Sequence, residues 1–140
     1  MKLVVEKNKK YCLAVSGGVD SMVLLRLFCD ACDKKDFFVV TINHNLRENA
    51  KSDCDFVKNE CSTLGIECVE KSVNVEQFAK ENGLSIETAG RILRYKVFEE
   101  QPCDFVVLAH HKNDNVESVL MHLLRGSGAT GALGMTLSLI

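Results

Sequence analysis

The feature of this sequence that most narrows its fold is an alternation. Short apolar runs of strand length are followed by segments whose apolar residues recur at helical spacing. Tyr11 to Val15 (YCLAV) is the first run, and Asp20 to about Asp33 then carries Val23, Leu24, Leu27 and Phe28 on a helical period. Phe37 to Asn43 (FFVVTIN) is rich in aromatic and β-branched residues, as strands are. A helix follows from about Ala50 to Leu64, presenting Phe56, Val57 and Cys61 and stopped by Gly65. Ile66 to Val73 alternates like a third strand. Helices near Val75 to Glu81 and from Ile86 to Glu100 come next, separated by Asn82-Gly83. Asp104 to His110 reads as a fourth strand, Asp114 to Leu124 as a last helix and Arg125 to Met135 as a glycine-rich loop. Such alternation needs crossover connections, so the predicted fold is α/β, an open parallel sheet sandwiched between helices.

The 140 residues are expected to form one domain spanning 1–140. The chain ends on MTLSLI, an apolar hexamer that reads as the start or edge of another strand. The sheet is therefore expected to be truncated after the fourth strand or at the fifth, and the apolar end to mark a fragment or a homodimer contact. A net charge of −2 excludes a global basic field, so phosphate-neutralising charge has to come from a local patch. No stretch approaches the roughly 18 apolar residues of a membrane span, so no membrane partner is expected and the location is expected to be cytoplasmic. Seven cysteines scattered through strands and helices read as small buried hydrophobes of a reducing compartment. Cys29 and Cys32 form a CxxC late in a helix, with no second pair to complete a metal site.

The segment that carries chemistry is SGGVDS, Ser16 to Ser21, between the first strand and the first helix. Ligands of open parallel sheets sit beyond the carboxyl ends of the strands. Gly17 and Gly18 let backbone N–H groups approach a ligand without a Cβ in the way. Ser16 and Ser21 add hydroxyls, and the helix starting near Asp20 adds its positive end. The loop is an anion cradle, but neither of the G-x-x-x-x-G-K-[ST] type nor of the G-x-G-x-x-G type. Asp20 would repel a bare triphosphate, which points to Mg²⁺ between carboxylate and phosphates. The same residues also fit an ordinary strand-to-helix turn with Asp20 as N-cap.

SGGVDS resembles the pyrophosphate-binding loop of the N-type ATP pyrophosphatases. That resemblance implies an adenine nucleotide alpha hydrolase-like, Rossmann-like sheet, with Ser16, Gly17, Gly18, Val19, Asp20 and Ser21 binding ATP and Asp20 holding Mg²⁺. Three further stretches, HNLRENAKSD, ETAGRILRYKVFEE and LAHHKNDNVESVLMHLLRGSG, resemble the tRNA(Ile)-lysidine synthases as a set. The resemblance implies ATP-dependent ligation of free L-lysine to the wobble cytidine of tRNA(Ile) with a CAU anticodon, through an adenylated base, releasing pyrophosphate and AMP. Members carry further C-terminal domains that help grip tRNA, so the 140 residues alone are expected to bind nucleotide more readily than to modify tRNA.

Glu87, Arg91 and Arg94 stand at i, i+4 and i+7, which fits a solvated face with one ion pair. The resemblance instead makes Arg91 a catalytic arginine against the phosphates, beside Asp20 and Asp114. Asp114 and Glu117 fit a capping box on spacing and, by resemblance, the lysine-binding pair. His44, Arg47, His110 and Arg125 are candidate substrate or phosphate contacts, and Arg125-Gly-Ser-Gly128 fits an anion-binding turn or a glycine cap. The alternatives are a tRNA 2-thiolation enzyme, which by resemblance would use a cysteine pair for sulfur transfer or an iron–sulfur cluster, and a non-catalytic nucleotide-binding module.

Overall fold

Successive side chains of a strand point to opposite faces of its sheet, and in this chain both faces are apolar. Tyr11, Leu13, Val15, Phe37, Val39 and Val107 pack to one side and Cys12, Phe38, Val40 and Val106 to the other. A sheet greasy on both faces has to be covered on both, and the helices divide accordingly. In the computed structural model, which describes residues 8–46, 48–111, 119–125 and 135–139, the elements are β1 (Tyr11–Ala14), α1 (Val19–Ala31), β2 (Phe37–Asn43), α2 (Asn49–Leu64) and β3 (Cys68–Ser72). They continue with α3 (Val75–Asn82), α4 (Ile86–Glu99), β4 (Phe105–His111), β5 (Val119–Arg125) and β6 (Met135–Leu139). Leu24, Leu25 and Phe28 of α1 and Val57 and Cys61 of α2 fill the first face. Val97 and Phe98 of α4 fill the second. Val75 and Ala79 of α3 meet Ala89 of α4 in a small core of their own.

The helix ends follow their residues. Gly65 takes φ +72°, where its N–H reaches the carbonyls of Cys61 and Ser62 and closes α2. Asn74 and Ser85 cap α3 and α4 by accepting from the N–H groups of Gln77 and Thr88.

The strand order is β3-β2-β1-β4-β5-β6. The pairs β1–β2, β2–β3 and β1–β4 are parallel, which is the predicted four-stranded parallel sheet. The chain walks from β1 outward to β3, then returns to place β4 on the other side of β1. That reversal opens a crevice at the carboxyl ends of β1 and β4, where ligands of such sheets sit.

One prediction is corrected. Residues 119–124 were expected in a helix from Asp114 to Leu124, yet Val119–Arg125 is a strand antiparallel to β4, and β6 pairs antiparallel to it in turn. The run VLMHLLR is apolar at nearly every position, so its periodicity fits either structure. The outer edge of β4 offers a row of unpaired backbone groups, and the strand satisfies them.

Candidate active site

The loop after β1 is shaped by two serines. The Ser21 side chain is buried; its hydroxyl donates to the Gly18 carbonyl (3.0 Å) and accepts from the Ser16 N–H (3.2 Å). The two hydroxyls lie 3.3 Å apart. Ser21 therefore folds the loop rather than reaching out of it, a role its sequence position did not reveal. Gly17 takes φ +91°, a backbone region that costs an L-residue about 1–2 kcal/mol. A Cβ there would lie 3.5 Å from the Asp53 carbonyl oxygen and 3.6 Å from Val57, so conformation rather than space demands glycine. Gly18, not Asp20, is the N-cap of α1, and it offers no side chain to the first helical N–H groups. Those groups are the donors an anion would take. Asp20 lies half-buried in the first turn.

Facing this loop is α4. Ser16, Ser21 and Ala14 line a cavity of about 530 Å³ together with Glu87, Arg91 and Arg94. The floor is apolar, with Val40, Ile42 and Leu108 from the strands and Tyr95 and Phe98 from the helix. Buried Phe98 anchors the helix to the sheet, and Tyr95 meets it edge-on at 5.9 Å. Glu87 and Arg91 do not form the ion pair that their spacing allows, and among the described residues neither arginine has a carboxylate partner. Two exposed arginines thus line one cavity with Ser16 and Ser21, whereas Gly17, Gly18, Val19 and Asp20 of the same loop are not among its lining residues. Arg94 and Tyr95 were not predicted for the site, though both lie in ETAGRILRYKVFEE, a stretch that carries the resemblance, and Arg94 shares the stripe of Glu87 and Arg91.

His44, just past β2, also lines the cavity. The other predicted residues are less gathered. Arg47, Asp114 and Glu117 lie outside the described residues. His110 is a backbone position in β4 near its carboxyl end. Arg125 stands opposite Phe105, at the amino end of β4, and so is not brought to the loop edge. Among the described residues, no group of three or more His, Cys, Asp or Glu side chains could hold a metal ion. Mg²⁺ is commonly held by one or two carboxylates plus substrate phosphates; Asp20 in the first turn of α1 is a carboxylate of the right kind, though not among the residues that line the cavity.

The CxxC lies elsewhere. Cys29 and Cys32 pack against the core beneath α1. Burial pushes the Cys29 thiol up, and burial with Asp36 and Asp33 pushes Cys32 up to about 11. Thiols held protonated are poor nucleophiles for sulfur transfer.

A glycine-containing turn at the switch point of a parallel sheet, opposite two arginines with no carboxylate partner among the described residues, points to a phosphate-handling domain. The chain belongs to the PP-loop domain family, which matches residues 1–138. Among curated relatives it is 42% identical over 138 residues to a tRNA(Ile)-lysidine synthase of Thermosipho africanus, covering 94% of this chain and 32% of that protein. It is 38% identical over 139 residues to the tRNA(Ile)-lysidine synthase of Caldanaerobacter subterraneus, covering 94% and 30%. The chain thus spans about a third of the length of these relatives. Among solved structures, the U34-tRNA thiolase of Methanococcus maripaludis superposes with a TM-score of 0.57 at 21% identity, covering 74% of this chain and 39% of that one. An NH3-dependent NAD synthetase from Campylobacter jejuni gives 0.51 at 15%, covering 72% and 47%. These two likenesses are of fold.

Proposed function

We propose that this domain binds ATP in the 530 Å³ cavity and activates the wobble cytidine of a tRNA(Ile) with a CAU anticodon for attack by free lysine. The observation that carries the reading is the cavity itself, which brings Ser16 and Ser21 of the loop and two arginines with no carboxylate partner among the described residues around one space. The names of the curated relatives supply the substrate.

In this reading the phosphates lie on the Gly17–Gly18 turn, with the base on the apolar floor. Asp20 would hold Mg²⁺, which when bound offsets phosphate charge. The 2-carbonyl oxygen of cytidine attacks the α-phosphate, and the bond to the β-phosphate breaks to release pyrophosphate. Arg91 and Arg94 stabilise the charge that grows on the departing group. The lysine ε-amine, after losing a proton, attacks C2 of the base, and the C2–O bond breaks to release AMP. Asp20 or Asp114 would take the proton, and Asp114 with Glu117 would bind the substrate ammonium. The seven free cysteines fit a reducing cytosol, where the tRNA is found.

The test supplies the protein with ATP, Mg²⁺, labelled lysine and tRNA carrying CAU, with ATP binding followed separately by calorimetry. The expected results are nucleotide binding, weakened roughly ten- to a hundredfold on Arg91→Ala, and lysine- and ATP-dependent label in the RNA. No heat with ATP would overturn the nucleotide site. Label that appears without ATP hydrolysis to AMP would overturn the adenylation chemistry.

A further inference from the structure

Asn45 is one of two described non-glycine residues at positive φ, at +56°. Asparagine tolerates that region better than most side chains, but the conformation still has to be held. Here it is held from three directions. The Asn45 N–H donates to Asn43 Oδ1 (3.0 Å), and its side-chain amide donates to the Val73 carbonyl and to Ser72 Oγ, both at 2.8 Å. The carboxyl ends of β2 and β3 are thereby tied together beside the cavity. The turn this creates brings the Leu46 N–H to His44 Nδ1 at 3.2 Å.

That last bond fixes more than a ring position. A nitrogen that accepts from a backbone N–H carries no proton, so the neutral imidazole has its hydrogen on Nε2. The ring lines the cavity.

Resting on the nucleotide reading, we infer that Asn45 is a positioning residue that acts through His44. By pinning the turn, it holds the imidazole in its Nε2–H form on the cavity wall, as a hydrogen-bond donor to an acceptor oxygen of the bound nucleotide. His44 supplies the contact; Asn45 decides which nitrogen makes it.

The first measurement needs no ligand: long-range ¹H–¹⁵N correlation of the histidine rings in the full 140-residue chain, assigned with His44→Gln. The expected result is the Nε2–H form at His44, giving way to a mixture of forms in Asn45→Gly, which keeps φ accessible but removes the amide. An Nδ1–H form in the unsubstituted protein, or an unchanged form in Asn45→Gly, overturns the inference. The second is ATP affinity by calorimetry. Asn45→Gly is expected to weaken binding roughly tenfold, the loss typical of one bond to a charged group. In a His44→Leu background, which has no donor, Asn45→Gly is expected to add no further loss, because both changes remove the same contact. Independent, multiplying losses would mark Asn45 as a scaffold residue only and sink the positioning role. Absence of ATP binding alongside the Nε2–H form would sink the nucleotide reading and the donor role built on it, while the turn's control of the ring would stand.

Discussion

At the amino edge of the sheet, Tyr11 lies over Phe105 at 5.5 Å and against Phe28 at 5.5 Å, with Phe37 next in line at 5.7 Å from Phe28. Polar groups there are tied off as well. The Lys10 N–H donates to Asp104 Oδ2 and the Lys10 ammonium to the Lys35 carbonyl, both at 2.8 Å. At the carboxyl edge of the same strands, Gly18 and Ser16 are exposed and Val19 is 80% exposed. Arg91 and Arg94 line a cavity with Ser16 and have no carboxylate partner among the described residues. One edge spends aromatic area on closing itself; the other leaves donors turned to a cavity. Stability and binding therefore sit at opposite ends of four short strands, and substitutions should separate them.

The largest expected effect is at the closed edge. Phe28→Ala removes a ring with no exposed surface and should cost about 3–5 kcal/mol, read from the urea midpoint. ATP affinity, measured where the variant is still folded, should hardly change. A comparable loss of affinity would show that the two edges are coupled and break the contrast. At the open edge, Arg91→Ala and Arg94→Ala should each weaken ATP binding by about 1.5–3 kcal/mol, roughly ten- to a hundredfold. Both should leave stability within about 0.5 kcal/mol, as exposed side chains do. Unchanged affinity in both would return α4 to the solvated face its spacing first allowed. Gly17→Ala tests the border between the two. Holding φ +91° with a Cβ should cost about 1–2 kcal/mol of stability. A wild-type urea midpoint in this variant would mean that the turn is not strained at all.

The sequence made some of this contrast readable. Phe37–Asn43 is buried at nearly every position, and a continuous apolar run announces that in the letters alone. Gly65 and Gly83 stop helices for a local reason, the left-handed cap, so their meaning survives without tertiary context. The strand-to-helix turn in Ser16–Ser21 was legible because a positive φ such as that of Gly17 favours glycine regardless of its neighbours. What was not legible depended on what lies across space. Glu87 and Arg91 have the spacing of a pair, and only the structure shows that they line one cavity without bonding to each other. Ser21 looked like a ligand donor until its bond to the Gly18 carbonyl was seen. Val119–Arg125 satisfies both periods, and the open edge of β4 decided between them. Asn45 carried no signal, since its partners at Ser72 and Val73 are distant in sequence.

The smallest effect should come from a place belonging to neither edge. Glu70 on β3 lies 3.1 Å from the ammoniums of both Lys51 and Lys58, which fastens α2 to the outermost strand of the parallel set. The hydrogen bonds from Lys58 and then Lys51 hold the Glu70 carboxyl below its ordinary value of 4.5. Because the folded form binds its proton less tightly than the unfolded chain, the ionised pair contributes fully above about pH 4.5. The contribution fades as the pH falls through the lowered folded value. The Lys51 ammonium is raised above 10.5, first by Glu70, so its share is present below that pH and lost above it. The stability difference between wild type and Glu70→Gln should therefore stay flat through the neutral range and shrink in acid. It should shrink too in 1 M salt, where screening reaches within about 3 Å of exposed charges. Urea midpoints at pH 7 and pH 3.5, each at low and high salt, read all of this, with ATP affinity at pH 7 as the reference that should not move. A difference that ignores both acid and salt would assign Glu70 to packing along β3, and the fastening of α2 would then rest mainly on its buried side chains Ala50, Cys54, Val57 and Cys61.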